Sequence, residues 1–210
     1  MSETSPSPHF AALILAGGQS SRLGTDKAWL DWQGQPLLQR VATVASVLTT
    51  AVYVLTPWPE RYHDLLGDRV TWLPEVQPGA GPLVAMADGL QQIAAQATPP
   101  DWVLTLACDL PRLQANVLRI WRDRLTRFPP DQLALVPRSG DRWEPLCGFY
   151  RPAVLPDLIA FQQQGGRAFQ QWLTALPATA IDLTPETAAM LLNCNTPADF
   201  PTWPPSHLLP

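Results

Sequence analysis

The chain has 210 residues, of which 46% are hydrophobic and 15% charged, with a formal net charge of −4. That length builds one well-buried α/β domain, and no shift of composition marks a second core. The acidic balance excludes the basic footprint of a nucleic-acid binder and leaves a small-molecule ligand as the fitting class of partner.

Taken in chain order, "MSETSPSPH" carries no basic residue, and the apolar run after it is too short for a secretory core, so residues 1–9 read as a disordered leader. "FAALILA" (10–16) is an unbroken apolar run of strand length. A glycine-rich polar stretch follows, and then "PLLQRVATVASVLTT" (36–50), which places Leu37, Val41, Val44 and Leu48 on one helical face. "AVYVLT" (51–56) is a second buried strand, "ERYHDLLG" a short helix and "RVTWLP" a third strand, ahead of the loop "EVQPGAG". "GPLVAMADGLQQIAAQA" (81–97) is a helix with Gly81 and Pro82 at its entry, and "DWVLTLA" (101–107) a further buried strand. Beyond residue 130 the pattern loosens. "DQLALVPR" and "DRWEPLCGFY" read as a hairpin-like insertion, helices follow near 152–164 and 167–176, and "PTWPPSHLLP" (201–210) is a proline-rich tail.

Repeated βα units of this length predict an α/β fold of three layers: a mostly parallel, twisted, Rossmann-like sheet with helices on both faces, forming a single domain over residues 10–200. Cys108, Cys147 and Cys194 are odd in number and lack metal spacing, and the three histidines are scattered. Reduced thiols in a cytoplasmic protein are the expectation, with no zinc site, no membrane and no nucleic acid.

In such a sheet ligands bind beyond the carboxyl ends of the strands, and two motifs fall there. "LAGGQSSRLGTDK" leaves the first strand. It fits neither a Walker loop nor a dinucleotide fingerprint, because Gly24 is followed by Thr25 and no Gly-x-Gly-x-x-Gly is present. Its glycines let backbone amides approach an anion. Lys27, the one lysine beside thirteen arginines, and Arg22 supply the charge that phosphate asks for. An ordinary glycine turn is the plainer alternative. In "LACDLP" (106–111), Asp109 follows a buried strand and suits Mg²⁺, which is held by one or two carboxylates together with substrate phosphates. It would equally serve as the cap of a helix starting near Pro111.

The first motif resembles the signature of the molybdenum-cofactor guanylyltransferase family. "GAGPLVAM", "EPLCGFY", "CDLP" and "NCNTPADF" are similar to further segments of that family, so the resemblance runs from residue 13 to 200. It implies a nucleotidyltransferase fold and transfer of GMP from Mg·GTP to the terminal phosphate of molybdenum-molybdopterin, with release of pyrophosphate. Leu15, Ala16, Gly17 and Gly18 would offer backbone to base, ribose and phosphate. Arg22 and Lys27 would neutralise the leaving group, and Asp109 would hold Mg²⁺. No general base is needed, since the attacking phosphate oxygen is already ionised. Molybdoenzyme apo-proteins or other cofactor-assembly proteins are the further partners implied.

Two positions depart from the family. Leu55 or Thr56 stands where relatives carry Asn, and Glu75 where they carry Asp, so Glu75 is expected to accept the adjacent N–H donors of guanine. Asn193 and Asn195 are candidates for the acceptor side, although Asn195 also suits a helix cap. Gly165, Gly166 and Arg167 would cradle an acceptor phosphate or simply end one helix before the next, and Arg142 and Glu144 lie on the expected insertion, facing the site. A cytidylyl- or sugar-phosphate nucleotidyltransferase, or a non-catalytic nucleotide-binding module, are the competing readings.

Overall fold

The computed structural model describes residues 8–17, 26–194 and 199. The first half of the chain alternates: β1 (Phe10–Leu15), a short hairpin of β2 (Asp31–Trp32) and β3 (Gln35–Pro36), α1 (Leu37–Ser46), β4 (Val52–Thr56), α2 (Pro59–Leu66) and β5 (Thr71–Pro74). Next come α3 (Pro82–Ala94), β6 (Trp102–Ala107), α4 (Ala115–Asp123), β7 (Ala134–Ser139), β8 (Arg142–Trp143) and β9 (Cys147–Tyr150). The chain then runs through α5 (Leu155–Gln163), α6 (Phe169–Ala175), β10 (Ala178–Asp182) and α7 (Pro185–Met190).

The main sheet has the order β10-β7-β9-β6-β1-β4-β5, with β8 paired to β7. Pairs β1/β4, β1/β6, β4/β5 and β7/β10 are parallel, and β9 runs antiparallel to both β6 and β7. The expectation of a mostly parallel sheet holds, but "DRWEPLCGFY" is no insertion. Cys147–Tyr150 is an interior strand of the sheet, buried throughout, and only Arg142–Trp143 lies off the main path.

Burial follows the pleat. Ala12 and Ile14 of β1 pack with Leu38, Val41, Ala42, Tyr62, Leu118 and Met190, which puts α1, α2, α4 and α7 on one face. Ala11, Leu13 and Leu15 pack with Leu83, Met86, Leu90, Leu158 and Trp172 from α3, α5 and α6 on the other. The buried stripe of α1 is rotated from the expected one: Leu38, Val41, Ala42 and Ala45 face the sheet and Val44 is half-buried. Leu37 turns away to join Leu30, Trp32 and Cys194, because the β2–β3 hairpin, unforeseen in the sequence, needs its own cover.

Two further expectations move. The helix after Asp109 begins at Ala115, not near Pro111, since residues 108–112 form a turn instead. His9, expected in the leader, is tied to the fold: its N–H donates to Asp101 Oδ2 at 2.7 Å and its carbonyl accepts from Asp101 N at 2.9 Å. Helix α3 contains Gly89, which costs about 1 kcal/mol of helix propensity relative to alanine. A Cβ there would lie 2.6 Å from Leu13 Cδ2, so the glycine is what lets α3 sit directly on β1.

Candidate active site

β1 is followed through α1 by β4 on one side and reached by β6 on the other, so the direction of winding reverses at β1/β6 and leaves a crevice beyond the carboxyl ends. The strand ends are stapled together there: Ala16 N donates to Leu55 O at 2.9 Å, Cys108 N to Leu15 O at 3.2 Å and Glu75 N to Thr56 O at 3.2 Å. A cavity of about 520 Å³ opens on this edge, lined by Leu15, Ala16, Gly17, Lys27, Leu55, Glu75, Asp109 and Asn193 of the expected residues. Gly79, Gly81, Pro82 and Ala85, from the entry and first turn of α3, line it too. Gly81 has φ +100°, a conformation that only glycine adopts without strain, and it turns the chain into the helix at the rim.

Lys27 and Asp109 meet in this cavity. Lys27 Nζ lies 3.1 Å from Asp109 Oδ2, with both side chains mostly buried. Asp109 Oδ1 is buried and has no hydrogen-bond partner among the described residues. A carboxylate with one oxygen neutralised and the other bare is a good ligand for a hard cation. No group of three or more His, Cys, Asp or Glu gathers among the described residues, so a cation here would draw its remaining ligands from substrate and water, the usual habit of Mg²⁺. The capping alternative for Asp109 falls: α4 starts six residues later, with Gln114 at its N-cap position.

The residue before Lys27 carries a role the sequence did not reveal. Asp26 Oδ1 accepts from Ala28 N at 3.0 Å and caps the short 3₁₀ turn Lys27–Trp29, while Oδ2 accepts from the Tyr62 hydroxyl at 2.7 Å. Tyr62 is 2% exposed, and burial together with the bond to Asp26 pushes its hydroxyl well above its ordinary pKa, so it stays a donor. The one available signal was the adjacency of Asp26 and Lys27, because Tyr62 arrives from another helix. Cys108 lines the cavity as well, but burial and then Asp109 drive its thiol far above the ordinary range, so it is no nucleophile at neutral pH.

At the opposite side stands Glu75. A Cβ added at Gly17 would lie 2.0 Å from Glu75 Oε2 and 3.2 Å from Pro57 Cδ. Gly17 is thus glycine because a carboxylate occupies the space a side chain would need. Oε2 is buried without a partner among the described residues, and burial, with a smaller contribution from Asp88, holds the Glu75 carboxyl above its ordinary range. Leu55 lines the cavity, but its carbonyl is engaged by Ala16 N, so it offers little for base reading.

Other expected residues are not brought to this cavity. Arg142 and Glu144 pair with each other, Nε to Oε1 at 3.5 Å, and do not line it, because the segment that carries them turns at the edge of β7. Burial raises the Glu144 carboxyl, opposed by Arg142. Gly165 and Gly166 end α5: Gly166 N donates to Phe161 O and Gly165 N to Gln162 O, both at 2.9 Å, with Gly165 at φ +85°. This pattern is a Schellman cap, and it accounts for both glycines without a phosphate. Arg167 beside them is exposed and does not line the cavity. Gly18, Arg22 and Asn195 lie outside the described residues.

The sequence profile of the MobA-like NTP transferase domain matches residues 12–180. A probable molybdenum cofactor guanylyltransferase of Nostoc sp. is 47% identical over 193 residues, covering 91% of this chain and 89% of the relative. The molybdenum cofactor guanylyltransferase of Pseudomonas aeruginosa is 31% identical over 90% of this chain and 92% of its own. Among solved structures, molybdopterin-guanine dinucleotide biosynthesis protein A from Archaeoglobus fulgidus is similar with a TM-score of 0.71 at 19% identity, covering 90% and 94% of the two chains. A 4-diphosphocytidyl-2C-methyl-D-erythritol synthase from Anaerococcus prevotii is similar with a TM-score of 0.68 at 10% identity, covering 92% and 93%. The fold alone therefore does not choose the base.

Proposed function

The chain belongs to the MobA-like NTP transferase family, and on that premise we propose that it transfers GMP from Mg·GTP to the terminal phosphate of molybdenum-molybdopterin, releasing pyrophosphate. The observation that carries this reading is the meeting of Lys27, Asp109 and Glu75 on one cavity, with Asp109 Oδ1 and Glu75 Oε2 both buried and unpartnered among the described residues.

In this reading an ionised oxygen of the acceptor phosphate attacks the α-phosphorus of GTP. The new P–O bond forms as the bond to the β-phosphate breaks, and pyrophosphate departs with the electron pair. Nothing must be deprotonated, so the side chains bind, orient and neutralise. Lys27, set by the Asp26 cap, supplies a mobile positive charge to the phosphates, and Arg22 from the same motif would add a second. Asp109 would hold Mg²⁺ through its unpartnered carboxylate oxygen, and the ion, when bound, would neutralise charge on the phosphate oxygens. Glu75 accepts from guanine N1–H and the exocyclic amine, while the strand-end backbone from Leu15 to Gly17 flanks the nucleotide. Asn193, on the cavity wall, is the candidate for the acceptor side.

Three cysteines held as thiols suit a reducing compartment, the cytoplasm, and no helix among the described residues is long and apolar enough to cross a membrane. The test is calorimetry of the chain with GTP, CTP, UTP and ATP in Mg²⁺, followed by pyrophosphate release from the nucleotide that binds, in the presence of molybdenum-molybdopterin. GTP is expected to bind most tightly and to turn over. Preferential binding of CTP would move the chain to the cytidylyl branch, and binding without pyrophosphate release would make it a carrier.

A further inference from the structure

The segment that bears Glu75 is held more firmly than its surroundings warrant. Val76 is 69% exposed, and the loop onward to Gly81 lies largely in solvent, yet three consecutive residues are pinned through their backbone. Pro74 O accepts from Gln92 Nε2 at 2.9 Å, Glu75 N donates to Thr56 O at 3.2 Å, and Val76 N donates to Asp88 Oδ2 at 2.6 Å. Gln92 Nε2 also donates to Asp88 Oδ1 at 2.9 Å. Both amide hydrogens of Gln92 and both oxygens of Asp88 are thereby used. Asp88 and Gln92 are four apart on α3, so they present to one face, and α3 is itself seated on β1 by Gly89. The result is a rigid link from the core to the one loop residue whose carboxylate lies against Gly17.

A carboxylate that reads two adjacent donors must be placed to within a few tenths of an ångström, and no hydrogen bond of its buried Oε2 places it among the described residues. We propose that Asp88 and Gln92 are positioning residues that set base specificity by fixing the backbone on which Glu75 presents its carboxylate to a purine carrying adjacent N1–H and exocyclic amine donors. The proposal rests on the base-reading role given to Glu75 above. It makes the selectivity of the site a property of α3 as much as of the cavity wall.

The test measures the ratio of the dissociation constants of Mg·ITP and Mg·GTP by calorimetry on the full chain. ITP lacks the exocyclic amine, so the ratio reads the Glu75 contact and cancels general losses of binding. Glu75→Gln is expected to lower the ratio tenfold or more. Asp88→Asn keeps only one accepting oxygen, and Gln92→Leu removes both amide donations while keeping every charge. Each is expected to lower the ratio threefold or more, and Gln92→Leu added to Glu75→Gln should change it less than twofold further. Neutralising Asp88 would by charge alone favour ionised Glu75 and raise the ratio, so a fall reads lost position. A merely structural role would lower the melting temperature, or weaken both nucleotides alike, without moving the ratio. If Glu75→Gln moves the ratio and Gln92→Leu leaves it within twofold of the unmodified chain, the clamp is overturned while the base reading stands. If Glu75→Gln itself leaves it unmoved, both fall. Gln92→Leu decides alone should Asp88→Asn fail to fold.

Discussion

Where β1, β4, β5 and β6 run parallel, each strand end delivers something to the cavity: Leu15, Leu55, Glu75 just past β5, and Asp109 just past β6. On the far side of β6, where β9 reverses, the described residues contribute only Leu146 and, after α7, Asn193. For β9 the difference is one of direction. A parallel strand spends its carboxyl end at this edge and enters a loop free to carry chemistry, whereas β9 arrives at the same edge with its amino end. There Leu146 O is taken by Ala107 N. β7 also brings its carboxyl end to this edge, but β9 separates it from β6, so Arg142 beyond it does not line the cavity that Lys27 and Asp109 share, and neither does Arg167.

The sharpest way to break this contrast is Lys27→Ala. Loss of one preorganised charge from the transition state is expected to cost on the order of 10²–10³-fold in turnover, measured as pyrophosphate release, with an unchanged circular-dichroism spectrum. Turnover within tenfold of the unmodified chain would remove Lys27 from the machinery. Asp109→Asn should follow at about 10²-fold, some 2.7 kcal/mol. Raising Mg²⁺ should recover part of the loss, and calorimetry without metal should find nucleotide binding far less changed.

Glu75→Gln sharpens the contrast within the parallel half. Losing a charged hydrogen-bond partner costs on the order of 1.5–3 kcal/mol, about ten- to a hundredfold in preference for GTP over ITP. The same substitution should stabilise the ligand-free chain. The folded-state pKa of Glu75 is raised by burial, so its ionisation opposes folding. That penalty is absent below the usual carboxylate pKa, grows as pH rises through the raised folded value and is full above it. Thermal melts should place the variant above the unmodified chain at pH 8 and level with it near pH 4.

Tyr62→Phe tests a support of the motif while keeping the buried ring. Freed of its bond to Tyr62, Asp26 holds Lys27 less well, and roughly 0.5–1.5 kcal/mol, about twofold to thirteenfold, should be lost from kcat with KM nearly unchanged. An equal loss in both parameters would make Tyr62 only a core residue. The smallest effect belongs to the reversed side: Arg167→Ala, exposed and off the cavity, should shift GTP affinity by less than about twofold, and a larger change by calorimetry would bring α6 into the nucleotide site.

The sequence by itself determined the parallel half. Apolar runs such as "FAALILA" and "DWVLTLA", each followed by a glycine turn or an Asp, report strands buried on both faces and the loops beyond them, because burial and backbone geometry are local demands on residue type. Asp109 and Glu75 were legible as cavity residues for the same reason, each within two residues of the end of such a run, and Lys27 through the glycine-rich loop that leaves the first. The tertiary structure decided everything that depends on which element arrives next to which. Only the sheet order makes Cys147–Tyr150 an interior antiparallel strand, since a short alternation cannot state its neighbours. Gly165 and Gly166 could not be told from an anion cradle until the bonds to Phe161 and Gln162 were in place. Tyr62 on Asp26, Glu75 over Gly17, and Asp88 with Gln92 under the Glu75 loop all join residues from separate elements. Periodicity records how much of a residue is buried, and the partner it is buried against is fixed only when the chain closes on itself.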